Sequence, residues 1–434
     1  MRAFVAARAK FVMGGMMPLL FANALEYSPN RGYNNVSGAG RGAPGDTIAN
    51  GDGNMIITNA KILLGDRFVT GVDVRVSGVN IAELGVALSG EDKLDAQGRV
   101  LAPGYCDIHI HGYGGYDTMD GAEAVLKMSE GLATHGCTSF LATTCSAPVE
   151  PSAFAVRGVK KAMQAQQAEG KHGATILGCH MEGPFLNDAK RGAQDPNGIL
   201  KPSVETYEQI VGEAGDIVRL MTIAPEIEGA RELCLYVRPG VKLAVGHTVA
   251  TAEQVETAAS WGCSQITHMF NGMNALHHRE PGVPGQALAD ENYSVQMIAD
   301  LVHLHRSALK LCYNAKGYEK CILITDAMAA TCMGDGRYKL GALDVIVKNG
   351  EARLPEGNLA GSTLTIERAV KNMIETVKIP AEQALQMASR VPAQSIGMDD
   401  RGIIAVGKRA DLVLLDADWS VNRTIVDGCT VYSK

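Results

Sequence analysis

The ten cysteines of this chain include no Cys-x-x-Cys pair, and the sequence has no long basic run and no apolar stretch of membrane-spanning length. Each absence removes a class of protein. Without paired cysteines, a zinc finger or a disulfide framework is excluded. The thiols lie mostly in apolar runs such as Gly262-Cys263-Ser264-Gln265-Ile266 and read as reduced and buried. A formal net charge of -7 without basic clusters excludes nucleic acid and anionic membrane as partners. An anionic small molecule would then need a local cationic pocket. No transmembrane helix is expected.

What is present suits a large enzyme. The 434 residues, 46% of them hydrophobic, can bury a sizeable core and fit a large barrel plus a smaller module. Residues 1 to 25 carry Arg2, Arg8 and Lys10, no acid before Glu26, and an apolar run from Phe11 to Ala24. That pattern is open to a secretory or import peptide. The thiol usage argues against secretion, so a variable extension on a cytoplasmic protein is expected, with organellar import as the alternative. Residues 28 to 54 are rich in Gly, Asn, Ser and Pro and read as linker, making 1 to 54 a disordered extension.

From residue 55 the pattern is regular. Alternating runs such as Val72-Asp-Val-Arg-Val, and Ala410-Asp-Leu-Val-Leu-Leu-Asp near the end, predict a small β-sandwich built from residues 55 to 100 and 396 to 434. Between them, strand-like segments alternate with helical ones. The strand candidates are Val100–Ile110, Thr138–Thr144, Thr175–Met181, Val218–Ile223, Lys242–Val245, Ser264–Thr267, Val295–Ala299 and Lys320–Thr325. Asp120 is expected to cap a helix over Gly121–Thr134, and Thr251 one over Ala252–Trp261. Eight strands alternating with helices predict an α/β fold, a (β/α)₈ barrel over residues 101 to 395. An open doubly wound sheet would need a glycine-rich phosphate loop after its first strand, and no Gly-x-Gly-x-x-Gly is there.

Ligand-type residues recur where these strands stop. The first ends in Asp107-Ile-His109-Ile-His111, whose imidazoles, two apart, share one face. The third ends in His180-Met-Glu182, the fifth in Gly246-His247, the sixth in Thr267-His268 and the eighth in Thr325-Asp326. A lone buried His is usually a satisfied core residue, and a lone strand-end Asp is usually a helix cap. Five such placements at one barrel rim point instead to a metal centre. A divalent ion held there would bring bound water towards a pKa of ~7, ready to attack an amide carbonyl. A neighbouring carboxylate must then carry the proton to the leaving amine. Asp326 is the candidate for that role and Glu182 a candidate ligand.

Longer motifs carry a resemblance. The chain contains Ala102-Pro-Gly-Tyr-Cys-Asp-Ile-His-Ile-His-Gly, Gly178-Cys-His-Met-Glu-Gly-Pro-Phe-Leu, Thr267-His-Met-Phe-Asn-Gly-Met, His278-Arg-Glu-Pro-Gly and Ile324-Thr-Asp-Ala-Met-Ala-Ala. Over about residues 55 to 430 it resembles the N-acetylglucosamine-6-phosphate deacetylases of the amidohydrolase superfamily. The resemblance implies that Glu182, His247 and His268 hold a main metal, that His109 and His111 hold a second, and that Asp326 is the acid/base. It implies one or two divalent ions, zinc first, with iron, cobalt or manganese as alternatives. It maps substrate contacts to Ala193, Asn271, Gly272, Arg279, His303, Leu359, Ala360 and Gly361, and implies a homodimer whose pocket is shared across the subunit boundary. Arg279 also fits a sugar 6-phosphate on its own chemistry, since guanidinium takes phosphate oxygens through paired hydrogen bonds.

Three positions depart from the family pattern. Gln194 stands where His is usual, Leu301 where Gly is usual, and Gly272 where Ala is usual. Gln194 keeps hydrogen-bonding capacity for a sugar hydroxyl but no charge. Leu301 puts the backbone beside His303 in question. The changes leave open a deacetylase for another N-acetylated sugar phosphate, or a non-catalytic sugar-phosphate binder. Amidohydrolases that bridge two metals with a carboxylated lysine are a poorer match, because the fourth strand, Val218-Arg-Leu-Met-Thr-Ile, has no lysine.

Overall fold

The computed structural model describes residues 54–170 and 173–434. The expected extension and linker, apart from Asn54, lie outside the described residues. At the centre are eight parallel strands: Tyr105–Ile110, Cys137–Thr144, Thr175–Glu182, Val218–Ile223, Lys242–Val245, Cys263–Ile266, Ser294–Ile298 and Cys321–Ile324. Each pairs with the next in chain order. The eighth meets the first where the Asp326 N–H donates to the His109 carbonyl (2.9 Å) and the His111 N–H to that of Ala327 (2.9 Å). These are the strands of a (β/α)₈ barrel. Three are buried along their whole length and the other five at all but one residue, as a parallel sheet covered on both faces requires.

One expected strand is two. Val100–Ile110 breaks at Gly104 into Val100–Pro103 and Tyr105–Ile110. A Cβ at Gly104 would sit 2.1 Å from the Thr138 methyl, so only glycine lets the chain cross there. Val100–Pro103 pairs with Leu412–Leu415 in a sheet separate from the barrel. The helix cap also moves. Asp117, not Asp120, accepts from the following turn, and Asp120 returns the bond as its capping-box partner. The helix Ala122–Leu132 then begins at Gly121, with no side-chain cap. Thr251 does cap Ala252–Trp261, with Gln254 completing the box.

Both ends of the chain build the β-sandwich. One sheet has four strands, ordered Asn80–Gly85, Asp73–Ser77, Met55–Thr58, Lys93–Asp95. The other has six, ordered Cys429–Ser433, Val421–Val426, Leu412–Leu415, Val100–Pro103, Lys61–Leu64, Arg67–Val69. Alternate residues face inward: Val74 and Val76 from one sheet meet Ile62, Leu101, Leu412 and Ile425 from the other. Each such side chain contributes about 1.5–3 kcal/mol by leaving water. A further antiparallel sheet, Gly336–Leu340, Leu343–Lys348 and Glu351–Arg353, follows the eighth barrel strand and was not expected. It packs Leu340, Val345 and Val347 against Met328 and Ala360, beside the barrel mouth.

Candidate metal centre

Six ionisable side chains converge at the C-terminal mouth of the barrel. His109 lies in the first strand and His111 just after it, while Glu182 ends the third. His247, His268 and Asp326 each stand two residues beyond the end of their strand, in left-handed backbone with φ of 48°, 25° and 50°. That region is unfavourable for residues with a Cβ and costs of order 1–3 kcal/mol each. The strain here turns each side chain back over the mouth. All six residues are buried, Asp326 the least at 7% exposure.

Glu182 is the hub. Its Oε1 lies 3.3 Å from His109 Nε2, 3.2 Å from His247 Nε2 and 3.0 Å from His268 Nε2. Its Oε2 lies 3.1 Å from His111 Nε2. Asp326 Oδ1 faces the first pair, 3.4 Å from His109 Nε2 and 3.2 Å from His111 Nε2. Two overlapping donor sets result, His109–His111–Glu182–Asp326 and Glu182–His247–His268, each within 4.8 Å. Burial by itself would raise Glu182, but His109 and the other imidazoles outweigh it and hold the carboxyl well below its usual range. Burial likewise opposes ionisation of Asp326, and His109 and His111 more than offset it.

The far side of each ring tests whether these groups suit a cation. His247 Nδ1 lies 2.9 Å from the Lys190 carbonyl, which can only accept, so Nδ1 carries the proton. His109 Nδ1 lies 3.1 Å from Gln296 Oε1, whose amide nitrogen is spent on Gln265. In the neutral forms of His247 and His109 the Nε2 lone pairs therefore point inward. His247 Nε2 and His268 Nε2 meet at 2.9 Å, and those of His109 and His111 at 3.3 Å, all against Glu182. Lone pairs converging on a carboxylate need a positive charge among them. Burial opposes protons on His109 and His247, but Glu182 prevails and favours them. A cation can take their place, since outer hydrogen bonds that fix the tautomer are typical of metal-ligating histidines. The donor set thus fits one or two divalent ions.

Several of these outer contacts lay beyond the sequence reading. Cys145 Sγ lies 3.3 Å from His111 Nδ1. Asp107 accepts from the His109 N–H (3.2 Å) and from the Thr325 hydroxyl (2.5 Å), tying first strand to eighth. Gln194, which keeps hydrogen-bonding capacity for a sugar hydroxyl, lines the cavity; its amide donates to Glu182 Oε2 (2.8 Å) and its carbonyl accepts from the Ser146 N–H (2.6 Å). His180, by contrast, is spent on the hydroxyls of Thr143 and Thr222. The Asp107-x-His spacing could have marked Asp107; nothing in the local sequence marks Cys145 or Gln296.

A cavity of about 140 Å³ opens onto the cluster. Of the residues mapped as substrate contacts, Ala193, Asn271, Gly272, His303, Leu359 and Gly361 line it. Ala360 does not: it is fully buried, its N–H donating to the Ala352 carbonyl (3.0 Å). Arg279 does not either; it is exposed, with Nη1 against His278 Nε2 (2.8 Å). His303 is oriented by Asp300, 2.7 Å from its Nδ1. Leu301 adopts φ 67°, the conformation glycine would take without strain, and packs against the core. Gly272 has φ 60°, and a Cβ there would stand 3.0 Å from His247 Nδ1.

A parallel barrel with a histidine–carboxylate cluster at the C-terminal ends of its strands defines a metal-assisted hydrolase of the amidohydrolase type. A model of the amidohydrolase family matches residues 100–431. The chain is 39% identical to an N-acetylglucosamine-6-phosphate deacetylase of Vibrio furnissii, over 76% of this chain and 83% of that protein. It is 36% identical to an N-acetylgalactosamine-6-phosphate deacetylase of Escherichia coli O157:H7, over 76% and 87%. A solved N-acetyl-D-glucosamine-6-phosphate deacetylase from Mycobacterium smegmatis, in complex with N-acetyl-D-glucosamine-6-phosphate, superposes with a TM-score of 0.81 at 31% identity, over 88% of this chain and all of that one. The chain belongs to the amidohydrolase family and, within it, to the N-acetylglucosamine-6-phosphate deacetylases. Among the described residues, no helix is long and apolar enough to cross a membrane.

Proposed function

We propose that this protein removes the acetyl group from N-acetyl-D-glucosamine 6-phosphate, giving D-glucosamine 6-phosphate and acetate in amino-sugar catabolism. The observation that carries the reading is Glu182 held between two inward-facing histidine pairs, with Asp326 on the same point. Glu182, His247 and His268 would hold the main cation, and His109 with His111 a second one sharing Glu182. Zinc suits these donors best, with iron, cobalt or manganese as alternatives. When bound, the metal acidifies water and polarises the amide carbonyl.

The protein's own groups do the rest. Asp326, kept ionised by the neighbouring imidazoles, accepts the proton of the attacking water. As the C–N bond breaks, it passes that proton to the sugar nitrogen, and the acyl group leaves as acetate. His303, fixed by Asp300, faces the same cavity and is placed to donate to the carbonyl oxygen as charge develops there. Asn271, Gly272, Ala193, Leu359 and Gly361 surround the sugar, and Ala360 supports them from behind. Arg279 takes the phosphate. Because it does not line the cavity of its own chain, it would serve the cavity of a second copy, which makes the homodimer part of the reading.

The 36% identity to an N-acetylgalactosamine-6-phosphate deacetylase favours a second reading, in which the 4-epimer is the better substrate. Acetate release from both sugar phosphates, with elemental analysis of the same sample, tests the proposal. Turnover of neither by metal-replete protein would refute it, and a higher kcat/KM for the galacto-sugar would select the second reading. Arg279→Ala should raise KM for the 6-phosphate by about 10–100-fold and leave that for the unphosphorylated sugar little changed, as expected for lost charge-assisted hydrogen bonds. Equal effects on both would remove the phosphate role.

A further inference from the structure

Away from the barrel mouth, a second group of reactive side chains meets in a cleft of about 300 Å³. Cys332 comes from the segment after the eighth strand and His135 from the end of the turn Ala133–His135. The Cys332 Sγ lies 3.5 Å from His135 Nε2. The opposite ring nitrogen, Nδ1, lies 2.7 Å from Glu367 Oε1, which also accepts from the Thr365 hydroxyl (2.9 Å). The Tyr113 hydroxyl closes on the same Nε2 at 2.9 Å. Carboxylate, imidazole and thiol thus stand in series, the order in which an acid orients a base and the base activates a nucleophile.

The other thiols differ. Eight of the ten cysteines are buried and Cys429 is half-buried, whereas Cys332 is exposed. It also stands at φ 65°, in backbone that favours glycine.

We propose that Cys332 is a reactive thiol that forms mixed disulfides with small disulfides at neutral pH, independently of the hydrolytic site. In the exchange, the Cys332 sulfur attacks one sulfur of the small disulfide. A bond forms between them as the original S–S bond breaks. The second sulfur departs with the electron pair as a thiolate and is protonated by His135 or by water. The small disulfide is reduced by one thiol equivalent, Cys332 is oxidised to the mixed disulfide, and no other oxidant is needed. Electrostatics agree with the geometry. The hydrogen bond from His135 lowers the Cys332 thiol below its usual range, outweighing burial. Burial opposes charge on His135, but its bonds to Cys332 and Glu367 prevail and raise it to about 10. At Cys429, burial and then Asp427 push the thiol up instead.

The test treats the full-length, metal-replete protein with 5,5′-dithiobis(2-nitrobenzoate) near pH ~6, where an ordinary thiol is almost wholly protonated. One fast equivalent per chain is expected, and peptide mapping should place it on Cys332. The fast phase should vanish in Cys332→Ser and persist in Cys429→Ser. It should slow by ~10-fold or more in His135→Gln and less in Glu367→Gln. Labelling of Cys429 first, or an unchanged rate in a folded His135→Gln protein, would overturn the proposal. Should His135→Gln fail to fold, the wild-type rate against pH decides: a fast phase that collapses below pH ~8, like that of a free thiol, is the opposing result.

Discussion

Two buried clusters of charge in this molecule behave oppositely. In the C-terminal part of the β domain, Arg401 Nη1 meets Asp411 Oδ2 at 3.1 Å, and Asp411 Oδ1 accepts the Asp427 N–H at 2.9 Å. Charge there is matched within the protein. At the barrel mouth, four imidazoles turn their inner nitrogens onto Glu182 and Asp326, and among the described residues no lysine or arginine lines the cavity there. A buried ion pair that is complete in itself holds a fold together. A buried cluster whose lone pairs converge leaves room for a charge from outside, and that incompleteness marks a binding site.

Predictions that attack this contrast begin at the mouth. Asp326→Asn should lower kcat by ~10²–10⁴-fold while metal content and melting temperature stay near wild type, because one proton carrier is lost. Acetate release measured alongside elemental analysis checks this; turnover close to wild type would take the proton role from Asp326.

The next test moves to the matched pair. Arg401→Met should cost about 3–5 kcal/mol in denaturant unfolding, since Asp411 is left buried without its counter-charge. The folded fraction should keep its kcat. Arg401→Met combined with Asp411→Leu should recover much of the loss. If the double variant is no better than the single one, the pair is not a self-contained unit.

Gln194→Leu probes the tie between the cavity wall and Glu182. Metal affinity should fall by ~10–100-fold, the usual consequence of losing an outer hydrogen bond to a ligand. Competition with a chelator measures it. An effect confined to KM for the sugar would instead make Gln194 a substrate contact. The smallest effect is expected from Gly272→Ala, which places a methyl group 3.0 Å from His247 Nδ1 in left-handed backbone. A stability loss of ~1 kcal/mol and a few-fold fall in kcat should follow.

Much of the barrel was legible. The fourth and fifth strands match the expected bounds, and five others differ by one residue at one or both ends, because short apolar runs between helical periods are a strong local signal. The sheet at Gly336–Arg353 carried a signal that went unread. Leu343-Asp-Val-Ile-Val-Lys alternates and runs into Asn349-Gly350, whose φ values of 53° and 77° are those of a mirror-image hairpin turn. Val100–Ile110 could not be divided from sequence, since the break at Gly104 answers a contact with Thr138, thirty-four residues away. The absence of Arg279 from the cavity wall was equally hidden: the motif around it names a residue type and says nothing of which cavity that side chain reaches.

Sequence alone determined the period of strands and helices, the sandwich assembled from both ends, and the identity of six donor residues at strand ends, because each of these is written in short-range pattern. Tertiary structure decided how the donors are used. Which nitrogen of His247 and of His109 carries the proton depends on Lys190 and Gln296, far away in the chain. Gln194 grips Glu182 with its amide while the Ser146 N–H anchors its carbonyl. Such choices follow from hydrogen bonds that form only once distant segments are packed together, and no local pattern encodes them.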